Sequence, residues 1–192
     1  MGSLWSTVEH EGITIPVLLN AEMSDMDRPL RLKRQANIVA GLFPMPRVLV
    51  SCRDITGENN VLAAGCCSIC SFDPLTVIAG LAPTPCSYKL MKQAGCFTVN
   101  LVDKHCRDLF EAAGASVDKT GPLPSAPAEF DDSFKINASL LRCSPVNIEC
   151  EIVDTAISNT KEMYFGRIVY IHACEEFIDE AGNVDLTKID LL

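Results

Sequence analysis

The chain has 192 residues, of which 48% are hydrophobic and 21% charged, and its formal net charge is −9. That is enough chain for one domain with a real core, in an ordinary globular balance. The acidic surface repels nucleic acid and anionic membrane, so neither is an expected partner, and any phosphate site must rely on local donors.

No apolar run approaches the ~18–20 residues that span a bilayer. Glu9, His10 and Glu11 interrupt any signal-peptide pattern, so the expected location is the cytoplasm. The start Met1-Gly2-Ser3-Leu4-Trp5-Ser6 fits the loose myristoylation pattern and is read as chance or a cloning remnant.

In chain order, residues 1 to 30 carry strand-like patches and a polar turn, Met23 to Arg28. Residues 29 to 37 read as a short basic helix with a solvated face. Arg47 to Arg53 is an apolar strand, ended by a turn around Gly57. Strands follow at 60–71 and 75–82. Ser87 precedes a short helical stretch to Ala94, and Gly95 follows, which is an N-cap, a helix and a C′ glycine. A strand spans 96–102, and a second helix runs from His105 to Gly114 with Leu109, Phe110 and Ala113 on one side. Gly121 to Asp132 is a loop with Pro122, Pro124 and Pro127. Long strands are expected at 138–156 and 161–175, then a turn at Asp179 to Gly182. Neither a repeat nor a linker divides the chain, so residues 1–192 read as one domain, with 1–40 the least defined part. Many strands with two short helices predict a closed or partly closed antiparallel barrel.

The helix start at Ser87 is the clearest anion site. The first turn of a helix leaves free N–H groups and partial positive charge, which suit a phosphate. Lys89 and Lys92 add charge nearby. A serine capping an ordinary surface helix would look the same.

The ten cysteines, in a chain read as cytosolic, are expected to be reduced. Most sit in apolar strand-like runs, where a free thiol acts as a small hydrophobe. In Cys66-Cys67-x-x-Cys70, adjacent residues of a strand face opposite ways, which is poor geometry for one metal, and no second cysteine pair completes a site. No metal is expected. Cys86, next to the helix start, is the thiol with the best setting for reactivity. The three histidines are scattered, and neither a Ser/His/Asp spacing nor HExxH appears, so no catalytic acid or base is assigned.

Several segments together carry a family resemblance. They are Asn60, Ser68, Ser71-Phe72-Asp73-Pro74, Ser87-Tyr88 and Phe97-Thr98-Val99-Asn100, preceded by Pro44 to Val50 and followed by Asn147 to Val153 and Phe165 to Val169. In order and spacing the chain resembles the flavin reductase-like family, the flavoredoxin-type FMN-binding split barrels. The resemblance covers most of residues 40 to 192. It implies a mostly β fold, an antiparallel Greek-key split β-barrel with a few short helices. It also implies bound FMN in a groove completed by a second subunit of a homodimer. Carried over by position, it places Ser68 and Ser71 near the ribityl chain and phosphate, and Ser87 and Lys89 at the phosphate. Asn60 and Asn100 would fix the groove, and Arg47 is one candidate for a cation, as are Lys89 and Arg53. The chain departs from the family near Pro85, where a phosphate-pairing arginine is usual, and at Leu192, where family members usually run on into a Gly/Tyr/Arg-containing tail, so that either the tail is absent or its role is filled differently.

The function implied is an FMN-dependent oxidoreductase that takes electrons from NAD(P)H or a protein donor and passes them to flavin or another acceptor. A flavin does hydride chemistry at its own ring, so the absence of an acid–base constellation is compatible with it. Two other readings stand beside it: a non-catalytic FMN electron carrier that docks a redox partner, and a flavin-free ligand-binding or cysteine-sensor barrel.

Overall fold

The computed structural model describes residues 5–10, 13–18, 45–83, 91–115 and 128–192, with side chains from residue 45 onward. The chain falls into two compact units, Met1–Ala40 and Gly41–Leu192. In the first, β1 (Trp5–His10) and β2 (Ile13–Leu18) form an antiparallel hairpin, with His10 opposite Ile13. The expected helix at 29–37 lies outside the described residues, as do Ser87, Lys89 and the prolines of the 121–127 loop.

The second unit is built on β3 (Val48–Arg53), β4 (Asn59–Ala64), β5 (Cys66–Phe72), β6 (Leu75–Leu81), β7 (Cys96–Leu101), β8 (Phe130–Asp132), β9 (Ser139–Leu141), β10 (Val146–Ser158) and β11 (Lys161–Ala173). Helix α1 (Arg107–Ala115) follows β7. Seven strands form one antiparallel sheet in the order β4-β3-β7-β10-β11-β6-β5. The two edge strands, β4 and β5, are consecutive in the chain with only Gly65 between them. A sheet whose opposite edges are joined by one residue has to curl on itself. No ladder joins those edges among the described residues, so the result is a split β-barrel rather than a closed one.

Strand alternation fills the interior. Val48, Val50 and Cys52 of β3, Phe97 and Val99 of β7, Cys150 of β10 and Val77 and Ala79 of β6 form the main core, all nearly or fully buried. Gly166 on β11 lies beneath the Phe97 ring: a Cβ there would stand 2.5 Å from Phe97 Cζ and 2.8 Å from Cys150 Cβ. A second core forms on the other face of β3, where Leu49, Val61, Val102 and Leu141 pack against Leu109 and Ala113 of α1.

Three expectations are corrected. The strand expected over 60–71 is two strands, turned at Gly65. The strand expected over 138–156 is β9 and then β10, parted by a turn in which the Ser144 N–H donates to the Leu141 carbonyl. The thiols are not all reduced: Cys106 and Cys143 are joined in a disulfide, because the second core brings the start of α1 against that same turn. Of the helix expected at 87–94, residues 91–94 are described and helical. It ends as its glycine predicts, with Gly95 at φ +68° and its N–H donating to the Met91 carbonyl at 3.3 Å.

Candidate functional site

The outer face of β5 is the place where the expected ligand-binding residues gather. Ser68 and Ser71 are three residues apart, and a regular strand would send them to opposite faces. The ladder with β6 pairs Ser68 with Ile78 and Ile69 with Val77, then skips a residue and pairs Ser71 with Thr76. Cys70 is the extra residue of this β-bulge. Ile78 and Thr76 share a face, so both serines do too. Ser68 is exposed, and its hydroxyl makes only a 3.3 Å bond to the neighbouring Ile69 carbonyl. The Ser71 hydroxyl has no hydrogen-bond partner among the described residues. Among the described residues β5 is a sheet edge, with unpaired backbone groups on its free side.

The remaining expected residues lie elsewhere. Asn60 pairs with Cys52 on the row that faces the barrel interior, and its amide donates to the Glu58 carbonyl at 3.0 Å. Asn100 is fully buried on the outer face of β7. Its amide donates to Leu49 O at 3.0 Å and Ser51 Oγ at 2.9 Å, and its carbonyl accepts from Leu141 N and from Asn147 Nδ2 at 2.7 Å. It ties β3, β7, β9 and β10 together, a framework role. Arg47 precedes β3, with its guanidinium 5.6 Å from the Phe110 ring centroid. Arg53 is engaged by Asp132 at 2.7 Å and by Asn59 and Asn137.

Sequence reasoning missed a buried polar centre. Glu149, with no exposed surface, accepts from His172 Nε2 at 2.6 Å, Phe134 N at 2.6 Å, Lys135 N at 2.7 Å and Ile136 N at 3.2 Å. Burial pushes its carboxyl up, but the bonds from His172 and from the Phe134 and Lys135 N–H groups outweigh it and hold the pKa below its ordinary value. The pairing joins residues 23 apart in sequence, so no local motif announces it. Sequence reasoning also missed the β11 residues that share the β5 face, which only the strand register reveals.

The thiols divide by burial. Burial and the neighbouring Cys66 push Cys67 up to about 12, and burial raises Cys150 further. Cys70 and Cys174 are exposed. Cys86 lies outside the described residues. A cleft of about 250 Å³ opens between the end of the 91–94 helix and the far half of the β10–β11 hairpin. On its wall the Tyr164 hydroxyl donates to Glu162 Oε2 at 2.7 Å. Among the described residues no helix is long and apolar enough to cross a membrane, and no group of three or more His, Cys, Asp or Glu is placed to hold a metal ion.

Residues 40–185 match the flavin reductase like domain. The chain belongs to the flavin reductase-like family. An uncharacterised protein of Pyrococcus abyssi (strain GE5 / Orsay) is 30% identical over 152 residues, which are 76% of this chain and 83% of that one. The flavoredoxin of Desulfovibrio vulgaris (Miyazaki F) superposes with a TM-score of 0.71 at 20% identity, covering 82% of this chain and 85% of its own. An FMN-binding protein from Thermus thermophilus superposes at 0.65 and 18% identity, covering 81% and 86%. At those identities the two structures are evidence of a shared split-barrel fold. A flavin needs hydroxyl or N–H donors for its phosphate and ribityl chain and apolar surface for its ring. The β5 face has two serine hydroxyls with few competing partners, and Met163 and Cys66 close above Gly80, so its donor set fits such a group.

Proposed function

We propose that this protein is an FMN-binding oxidoreductase that takes electrons from NAD(P)H or a reduced protein donor and passes them to flavin or another acceptor. One observation carries the reading: in a chain of this family, the β5 bulge turns Ser68 and Ser71 to the same open face. These two serines would hold the ribityl and phosphate, with Ser87 and Lys89 completing the phosphate site at the helix start. Asn60 and Asn100 would fix the groove, and Arg47, Lys89 or Arg53 would supply the cation that pairs with the phosphate. A bound flavin supplies the hydride-accepting ring, and the chain's own residues orient it and exclude water.

A homodimer belongs to the same reading. At the turn between β5 and β6 the inward-facing row continues as Ile69, Phe72 and Leu75, with Phe72 88% exposed. Apolar residues left bare in this way suit a second copy of the chain. The likeness to a flavoredoxin and the charge of −9 favour one other reading, a non-catalytic carrier steered to a basic redox partner.

The test is to mix purified protein with FMN, remove free ligand and record the visible spectrum. Retained bands near roughly 370 and 450 nm support the flavin reading, because a carrier and an enzyme both need the cofactor in place. Steady-state NAD(P)H oxidation then separates enzyme from carrier. A colourless product would favour the flavin-free barrel.

A further inference from the structure

Lys161 opens β11 at the turn of the long β10–β11 hairpin, opposite Ser158. Alternation puts Lys161, Met163, Phe165 and Arg167 on one face of β11. Two ladders carry that face across the sheet. Met163 lies beside Gly80 and then Cys66, Phe165 beside Ile78 and then Ser68, and Arg167 beside Thr76 and then Ser71. Lys161 stands one step beyond the first of these rows, on the face that bears both serines. Its side chain turns toward the serine strand. It reaches over Gly65, the single residue joining β4 to β5, where a Cβ would collide with Nζ and stand 2.8 Å from Cε. From Gly65 the chain runs through Cys66 to Ser68, roughly 10 Å along the strand.

The short helix belongs to the same end of the sheet. β6 stops at Leu81, opposite Glu162, the chain neighbour of Lys161. Ser87 follows six residues later in the sequence. The described end of the helix, residues 91–94, lies beside β11, because Met91 and Lys92 line one cleft with Glu162 and Tyr164.

The Lys161 ammonium is half-buried, and among the described residues it has neither an ion pair nor a hydrogen bond. The other cation of this face, Arg167, meets Glu151 at 2.5 Å. Of the cations expected for the phosphate, Arg53 meets Asp132 at 2.7 Å, and the Arg47 guanidinium lies over the Phe110 ring of α1. A partly desolvated charge without a counter-ion attracts the negative charge of a ligand.

We propose that Lys161 pairs with the phosphate of bound FMN and makes this chain select phosphorylated over unphosphorylated flavin. This rests on the flavin reading above and adds to it a cation that is none of Arg47, Arg53 and Lys89. Ser68 is then the serine nearer the phosphate, and Ser71 the one nearer the ring.

The experiment titrates wild type, Lys161→Gln, Lys161→Arg and Gly65→Ala with FMN and with riboflavin, followed by flavin fluorescence. Riboflavin shares the ring and the ribityl chain and lacks only the phosphate. Lys161→Gln is expected to bind FMN about tenfold more weakly while its riboflavin affinity stays within about twofold of wild type. Lys161→Arg keeps most of the FMN affinity. Gly65→Ala, whose Cβ takes the place of the ammonium, weakens FMN in the same direction and leaves riboflavin alone. An unchanged FMN affinity in Lys161→Gln, or an equal loss for the two flavins, overturns the proposal. So does a wild type that binds both flavins equally well. A wild type that binds neither overturns the flavin reading itself and this proposal with it. That outcome is distinct from failure of the Lys161 assignment alone, in which wild type still binds flavin.

Discussion

Ser68 and Ser71 face the same way although three residues separate them, because Cys70 is inserted between two regular stretches of the β5–β6 ladder. The bulge residue is spent on the strand itself: Cys70 Sγ donates to the Thr76 carbonyl at 3.5 Å. Deleting Cys70 leaves Ile69 opposite Val77 and Ser71 opposite Thr76 in an unbroken ladder, with both serines still outward. The deletion is therefore expected to keep FMN affinity within about threefold. Ser71→Ala, which removes a donor to the ligand, should weaken it about tenfold, near 1.5 kcal/mol. Equilibrium dialysis of the two variants checks this. If the deletion abolished binding and Ser71→Ala left it intact, the ligand would not be held from this face.

Glu149 anchors residues 134–136 through three main-chain N–H groups and is itself held by His172. Lys135 stands over the Phe134 ring, and Tyr170 packs between Phe134 and His172. The Glu149 pKa is lowered in the fold. Its contribution to stability is thus fully present above the ordinary glutamate value, near 4.3, and is lost as pH falls through the lower folded value. Glu149→Gln removes the charge and spoils the acceptor set, which is expected to cost about 2–3 kcal/mol at pH 7. Urea denaturation at pH 7 and at pH 3 to 5 reads both effects. The variant should lose less stability than wild type on acidification, and equal acid slopes would refute the assignment.

The Cys106–Cys143 bond closes a stretch of 37 residues that includes α1, β8 and β9. A loop of that size is stabilised by up to roughly 4 kcal/mol through the entropy removed from the unfolded chain. A reductant that reaches the bond is therefore expected to lower the unfolding midpoint of wild type and to leave a Cys106→Ala/Cys143→Ala double variant unmoved. Thiol counting in denaturant without reductant should find eight groups rather than ten. Ten would mean that the second core holds two free thiols.

Local chemistry made much of this architecture readable. Gly95 ends its helix where the sequence places a C′ glycine, and Val48–Arg53 and Leu75–Leu81 are strands because apolar, β-favouring runs leave little else. Features that depend on pairing were hidden. The residues 60–71 read as one strand because nothing in their pattern marks the corner at Gly65; there the Gly65 N–H donates to the Gly80 carbonyl of β6, a pairing the local sequence does not announce. The common face of Ser68 and Ser71 contradicts simple alternation and needs the register with β6 to be seen. Asn100 was picked out by resemblance to the family, yet its role as a buried tie among four strands depends on Leu49, Leu141 and Asn147 arriving from elsewhere. Cys106 and Cys143 could not be paired from the sequence, since ten cysteines allow many partners.

Gly166 gives the sharpest test of how the barrel is filled. Its missing side chain is the space that Phe97 occupies, with the ring edge and Cys150 Cβ both within 2.8 Å of where a Cβ would be. Phe97 and Cys150 have no exposed surface, so neither can swing outward to make room. Gly65 presents the opposite case, since the atoms met there are the end of the flexible Lys161 side chain. Gly166→Ala should destabilise the fold by about 1–3 kcal/mol through overpacking. Adding Phe97→Leu to it should cost less than the sum of the two single changes, because the shorter side chain vacates the ring's space. Denaturant midpoints of the four proteins in this cycle measure the coupling. A strictly additive result would mean that Phe97 does not pack over Gly166.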